Sequence, residues 1–491
     1  MLCLRFILVL GFILTSTAAA VSGVVHDGND DSVNFGPWFS RFALTLEDGW
    51  REEAIGPLFY KQARDNERMF AVPPLFSRLQ DPDTDSEEYD ICYPVLTFNR
   101  YGHEYRWRLF QNFTLSGGHN QAEEPVRRFI LFPLYFQQRS PNPELNYTAV
   151  FPIYGHLKNR MLREEISFLL FPLYSQTRKT SYVTDNYLFP FFHVRHGEKL
   201  HGWQFWPVAG QEHKDVTTKT DGFGDTRIIG GHDRFFALWP FYFNETGGLG
   251  TENPEHQLAV LPFYASTRSP HRDSTTVLWP FFTWTDDREN KYHEWDSPWP
   301  LIVFARGEDK ATTRLFPFFS HAHNARLVSN FYLWPLYKYN RSHSDALDRD
   351  RTRILLYLYS EVNEKQIESG VTRSRTDIWP LFTHRRDSNG NTRLQILAPI
   401  EPMLPSNKSV ERNWSPIWSV WRAEKNPKTG HASQSFFWNL YRRETTPTTK
   451  NSSLLFGLFQ YQSNLETKRW RLFRLPLKKS QKESDHVSEH R

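Results

Sequence analysis

The sequence predicts an all-β fold, an antiparallel meander of about twenty strands built from a repeat of about twenty residues and closed propeller-like or barrel-like. Three observations point there. Aromatic residues make up 16% of the 491 residues, with 40 Phe, 21 Tyr and 17 Trp against 4 Met and 2 Cys, a composition that favours strands. A short proline-centred apolar motif recurs along the chain. The polar stretches between copies are too short for a helical crossover, so neighbouring strands should run antiparallel.

The motif is two or three apolar residues, a proline and two more. It reads FILFPLYF around Pro133, AVFPIY around Pro152, FLLFPLY around Pro172, YLFPFF around Pro190, ALWPFYF around Pro240, VLWPFF around Pro280, YLWPLY around Pro335 and DIWPLF around Pro380. Earlier copies sit at Pro57, Pro74 and Pro94, and proline-free versions include ILLYLY at Ile354 to Tyr359. Successive prolines are spaced 19, 20, 18 and 17 residues apart from Pro133 to Pro207, and 22, 18, 20, 17 and 18 apart from Pro240 to Pro335. Polar connections such as Arg385 to Arg393 and Arg422 to Ser433 read as hairpin loops.

Each copy with its flanks reads as one strand of about ten residues. In Leu278-Trp279-Pro280-Phe281-Phe282 both alternating faces are apolar, which implies strands buried on both sides and argues against the apolar-out, polar-in alternation of a porin. Proline cannot donate to a ladder, so its place at the strand centre predicts a belt of interrupted pairing filled by the adjoining aromatics.

Four segments are expected: a signal peptide at 1–20, a polar lead at 21–47, a continuous β-repeat domain at 48–477 and a disordered charged tail at 478–491. The signal reading rests on Arg5, the apolar run Phe6 to Leu14 and small residues Ala18 to Ala20. Cleavage removes Cys3, leaving Cys92 alone, read as buried, with no intrachain disulfide. Seven sequons, at Asn112, Asn146, Asn244, Asn340, Asn407, Asn413 and Asn451, matter only in a eukaryotic source, and Asn413 is compromised by Pro416. Two stretches, Gly210 to Asp233 and Lys338 to Arg353, read as excursions from the repeat.

Chemistry is sparse. The acidic loop Asp81 to Glu88 lacks the glycine and terminal glutamate of a calcium hand and reads as a solvated loop. Asp221-Gly222-Phe223-Gly224-Asp225 reads as a turn, and His321 with His323 shares a strand face but has no third ligand. The group His193, His196 and His201 is read the same way, and basic residues after the motif, among them Arg64, Arg178 and Arg385, should fall alternately on two rims as solvated strand ends. No catalytic, cofactor-binding or metal residue is assigned, and no cofactor is expected. The net charge of +4, with 59 basic residues interspersed among 55 acidic ones, excludes nucleic acid as the expected partner.

The motif resembles the W/F-P-L-F/Y hairpin repeats of large, exported, uncharacterised bacterial proteins, with Asp377-Ile378-Trp379-Pro380-Leu381-Phe382-Thr383-His384-Arg385-Arg386 the clearest copy. The resemblance covers most of the chain from Pro57 to Pro476 and brings no catalytic or binding residue. The expected function is therefore a non-enzymatic, exported scaffold or binding surface of the envelope or extracellular space, with an unidentified ligand. Rival readings are an outer-membrane β-barrel, which would make the membrane a partner, and a secreted carbohydrate-active enzyme.

Overall fold

Proline has no N–H to give a β-ladder, and the chain answers this constraint by turning at every motif copy. The computed structural model describes residues 33–472 apart from 37, 119–124, 221–225 and 465–467. The segments 1–20 and 478–491 and the Asp221 to Asp225 turn lie outside the described residues. In the copy at Pro172, strand Arg163–Leu169 ends and strand Tyr174–Lys179 begins, with Leu170, Phe171, Pro172 and Leu173 forming the turn between them. Leu173 N donates to Leu170 O at 2.8 Å to close it, and the Phe171–Pro172 peptide is cis, as are the X–Pro bonds at Pro133, Pro190, Pro240, Pro280 and Pro335.

The expected mid-strand proline is thus corrected. One repeat is a hairpin pair, with an apolar turn on one rim and a polar turn, such as Asp387 to Asn391, on the other. Among the described residues the twenty expected strands become a sheet of 43, each antiparallel to the strands it pairs with, which apart from one inserted hairpin are its neighbours in sequence. The excursion after Gly210 is a separate hairpin, Thr217–Thr220 with Thr226–Ile229, while the strands flanking it, Ala209–Lys214 and Gly231–Ala237, pair directly. Lys338 to Arg353 is no excursion, because it belongs to strands Tyr337–His343 and Leu347–Ile354 of the main sheet.

The sheet is a single layer along most of its length. Among the described residues its buried apolar side chains are few, about half of them small, such as Ala71, Ala149, Ala259 and Ala305, whereas large apolar residues of the motif are half exposed. The expected burial on both faces is corrected accordingly. The best-packed cluster gathers Tyr147, Ala149, Leu157 and Phe168 under the rim aromatics Phe151 and Phe171. Gly155 is required there, since a Cβ would lie 2.2 Å from the Phe168 ring.

Cross-strand pairing carries one residue row without a break through the sheet. From Glu53 it runs through Tyr60, Ala71, Ser77 and Asp90, and it reaches Thr383, Gln395, Arg422 and Arg442 near the other end. These two ends meet face to face. Asn439 Nδ2 donates to Glu53 at 2.5 Å, Tyr60 Oη to Arg412 O at 2.9 Å, and Thr45 Oγ1 to Ser433 Oγ at 2.6 Å, while the Arg442 guanidinium lies 3.5 Å from the Phe42 ring centre. Because the same face looks inward at both ends, the sheet between them must be concave toward it.

Two short helices, α1 (Lys408–Asn413) and α2 (Ser415–Trp418), complete this seam. Asn407 caps α1 by accepting from Val410 N, and Arg412 reaches across to Glu88 at 2.6 Å and Asp90 at 2.8 Å. Backbone pairing does not cross the seam. Among the described residues the terminal strands Val33–Asn34 and Lys468–Leu472 each pair on one side only, and the expected propeller-like or barrel-like closure is not present.

Arg412 is 4% exposed and Asp90 2%. Replacing Arg412 by Ala leaves a buried carboxylate uncompensated, a loss of about 3 to 5 kcal/mol. Urea denaturation should show that loss, and hydrogen exchange should quicken first in residues 407–418 and 86–91 while strands remote from the seam keep their protection.

Candidate functional site: the concave face and the motif rim

The concave face is largely polar because the row described above carries mostly small and hydrophilic residues, broken by aromatics such as Phe136, Phe168, Phe236, Phe243 and Phe331. Ser77, Asp90, Ser175, Asn186, Ser320, Ser360 and Asp377 are all buried in it. Ion pairs recur along this face. Arg195 pairs with Glu212, which also accepts from His232 at 2.7 Å; Arg375 meets Asp377 at 2.7 Å; Arg422 and Arg393 both meet Glu424, at 2.7 and 3.0 Å. Burial favours the neutral form of Glu424, yet Arg422 and Arg393 hold its carboxyl at about 2. Near the seam this network lines two clefts, with Arg51, Gln62, Arg393 and Arg422 in both.

One carboxyl in the row is different. Asp296 is buried between Thr283 and Val303, its Oδ1 has no hydrogen-bond partner, and burial aided by Glu294 pushes its pKa up to about 6.

The motif rim is the second distinctive surface. Each turn bonds to the turn before it: Phe171 N donates to Pro152 O, Phe189 N to Pro172 O, Trp279 N to Pro262 O and Trp334 N to Pro317 O, all at 2.7 to 2.8 Å. Where a leucine opens the turn it donates likewise, Leu170 N to Ile153 O and Leu278 N to Phe263 O. The residues before proline stack in series, Phe151, Phe171 and Phe189 with ring centres 5.3 and 5.6 Å apart and Trp206 with Trp239 at 5.9 Å. Leu170, Leu173, Leu278, Phe281, Leu333 and Trp334 are each about half exposed.

The opening leucines are also conformationally costly. Leu170, Leu188, Leu238, Leu278 and Leu333 have φ between 46° and 50°, the left-handed region that Gly or Asn fills with less strain. An exposed apolar side chain recurs where the backbone alone would favour another residue.

The remaining sequence candidates fall apart in space. The acidic loop is an ordinary turn, with Asp81 accepting from Asp83 N and Thr84 Oγ1 and Asp83 bonded to Asn66. His321 packs on Tyr332 with ring centres 5.2 Å apart. His193 lies in the concave row, whereas His196 and His201 pair with each other on the convex face and are joined by His213, which sequence reasoning missed. Hydrogen bonds to the Asp233 and Asp215 carboxylates, which accept from its ring, raise the His213 pKa. Among the described residues no group of three or more His, Cys, Asp or Glu side chains could hold a metal.

Cys92 is exposed in the turn after strand Ser86–Ile91, not buried, because an apolar run here forms a turn. Asn413 is fully buried and bonded to Asp90 at 2.9 Å. The arginines after the motif do not alternate between two rims: Arg64 and Arg178 pair with Glu67 and Glu165 toward the polar turns, whereas Arg195, Arg385 and Arg442 face the concave side, Arg385 on Glu411 in the seam cleft. On the convex face Trp284, Trp295 and Phe304 are cross-strand neighbours flanked by Asp273, Asp286, His293 and Arg306, an arrangement suited to stacking against a flat ring.

No protein-family model matches the chain, and no curated protein matches it significantly.

Because the folded state holds the Asp296 proton more tightly than the unfolded chain does, its contribution to stability is present below about pH 4 and is lost as pH rises through 6. Asp296→Asn keeps the neutral shape. Thermal melts should find this variant more stable than the parent at pH 8 and equal to it at pH 4.

Proposed function

We propose that the protein is an exported, non-enzymatic β-repeat scaffold of the envelope or extracellular space, seated on a lipid surface along its motif rim and offering its concave polar face to a ligand. The observation that carries this reading is the rim itself. Apolar side chains emerge from turn after turn, while the turn N–H groups are satisfied by the preceding turn and proline contributes none. With its N–H groups already bonded, such an edge asks few hydrogen bonds of its surroundings, which eases contact with an apolar phase. A contiguous apolar surface of this extent marks an interaction site.

The height of the apolar band favours lying on a membrane over spanning it. Beyond the turns, only the last residue of each adjoining strand is consistently apolar, as in Leu169 with Tyr174 and Val277 with Phe282. At about 3.3 Å per residue the band is roughly 10 Å high, which matches the depth of an interfacial element and falls short of the roughly 25 Å of a barrel. Strands such as Phe282–Asp287 and Tyr359–Gln366, six and eight residues long, are likewise shorter than the nine to eleven needed to cross.

Flotation with phosphatidylethanolamine–phosphatidylglycerol vesicles tests the reading. The parent chain should float with the vesicles. Leu188→Asn, Leu278→Asn and Leu333→Asn combined should keep the β circular dichroism, because Asn tolerates positive φ, and should lower vesicle binding about tenfold. A parent chain that stays at the bottom of the gradient, or a triple variant that floats equally, would overturn it.

A further inference from the structure

The concave face carries one group of cations that its ion pairs do not cover. Lys338 and Arg353 are directly opposite each other in neighbouring strands, and Arg351 is one position along the same face, opposite Asn340. Arg314 belongs to the same row, reached from Lys338 through Phe331 and Ser320. Like charges directly opposite in a sheet are destabilising, and the usual remedy is a carboxylate beside them. Elsewhere on this face Arg195, Arg375, Arg393 and Arg422 have one. Among the described residues none of these four cations has a carboxylate within ion-pair distance. The nearest acids in the row, Asp296 and Asp377, are two strands from Arg314 and Arg353 respectively, and Asp377 is taken by Arg375 and Thr383.

The group is also incompletely satisfied. The Nε atoms of Arg351 and Arg353 are buried with no hydrogen-bond partner, and so is Asn340 Oδ1. Arg353 lies 5.7 Å from the Tyr357 ring centre, and Arg314 reaches only Ser320 Oγ at 3.4 Å. Burial, with Arg353, Arg314 and Arg351 nearby, lowers the Lys338 pKa; burial, with Arg353 chief among its charged neighbours, lowers that of Arg351. A half-buried cluster of like charge with idle donors lowers its energy when an anion enters, and guanidinium forks fit tetrahedral oxyanions in particular.

We propose that Arg314, Lys338, Arg351 and Arg353 form a binding site on the concave face for a phosphate or sulfate group. This site deepens the reading of the concave face as a ligand surface and does not need the motif rim to meet a membrane, although Lys338 and Arg353 directly adjoin the apolar strand ends Tyr337 and Ile354 of that rim. Free phosphate and the phosphate of a lipid headgroup share the chemistry, and the test separates them.

Isothermal titration of the full chain with inorganic phosphate, sulfate, acetate and monomeric short-chain phosphatidylglycerol reads the affinity directly. Saturable binding of phosphate or sulfate, at least about tenfold tighter than acetate, is the expected result. Uptake of the lipid as well assigns a headgroup; uptake of the inorganic anions alone assigns a free anion. Arg351→Gln with Arg353→Gln should weaken that binding about tenfold or more while raising the melting temperature, since it relieves repulsion. Lys338→Met serves as a second variant should the first fail to fold. As an independent readout, phosphate should protect Lys338 from acetylation at pH 8 in the parent chain. No saturable phosphate or sulfate heat, or equal affinity in the folded variants, overturns the site.

Discussion

The structure depends on one repeated event, the backbone hydrogen bonding of one proline-bearing turn after another to the turn before it, by two bonds where a leucine opens the turn, as at Pro172, and by one elsewhere, as at Pro152. Phe171 N to Pro152 O and Leu170 N to Ile153 O carry the ladder around the rim, where an ordinary hairpin would leave its turn to water. Proline removes the donor that would have no partner, and the aromatic before it stacks on its counterpart one turn away. Strands this short gain little from one neighbour alone. They are held because rim and sheet are paired together, as in repeat architectures where each unit is stabilised by those flanking it.

A one-layer sheet has no second sheet to cover it, so its two faces must solve the solvation problem separately. The concave face does so with small polar residues and matched ions, Glu424 between Arg393 and Arg422 being the tightest case. The rim instead leaves Leu, Phe and Trp exposed at positions where φ is positive and Asn or Gly would be easier to hold. Local conformational preference and side-chain chemistry disagree there turn after turn, and this mismatch is what the proposed role of the rim would account for.

The seam sets the curvature. Arg412, Asp90 and Glu88 join α1 to the first strands, and the polar bonds of Asn439 and Thr45 add to the same contact. Without a backbone ladder between the two ends, the seam is held by side-chain contacts, several of them to backbone carbonyls such as Arg412 O. Such a contact can open without unravelling the strands, a property consistent with a surface that receives a ligand on its inner side.

Much of this was legible in the sequence. The period of about twenty and the antiparallel order follow from composition and spacing, because the polar stretches between copies are too short for a helical crossover, and Gly210 to Asp233 does leave the repeat, as a hairpin that the sequence reading gave only as an excursion. The turn itself was misread: five apolar residues in a row look like a buried strand, since turn signals are normally Gly, Asn and Asp, and only proline's missing donor hinted otherwise. The facing of Lys338 and Arg353, residues fifteen apart, was beyond reach. A one-residue slip in register sends every side chain to the other face, and which face is concave is decided only when two ends, more than three hundred residues apart in sequence, come together. The sequence alone thus determined the repeat and its pairing order, which are local, while the tertiary structure decided which charges share a surface, because that depends on register and on curvature set from afar.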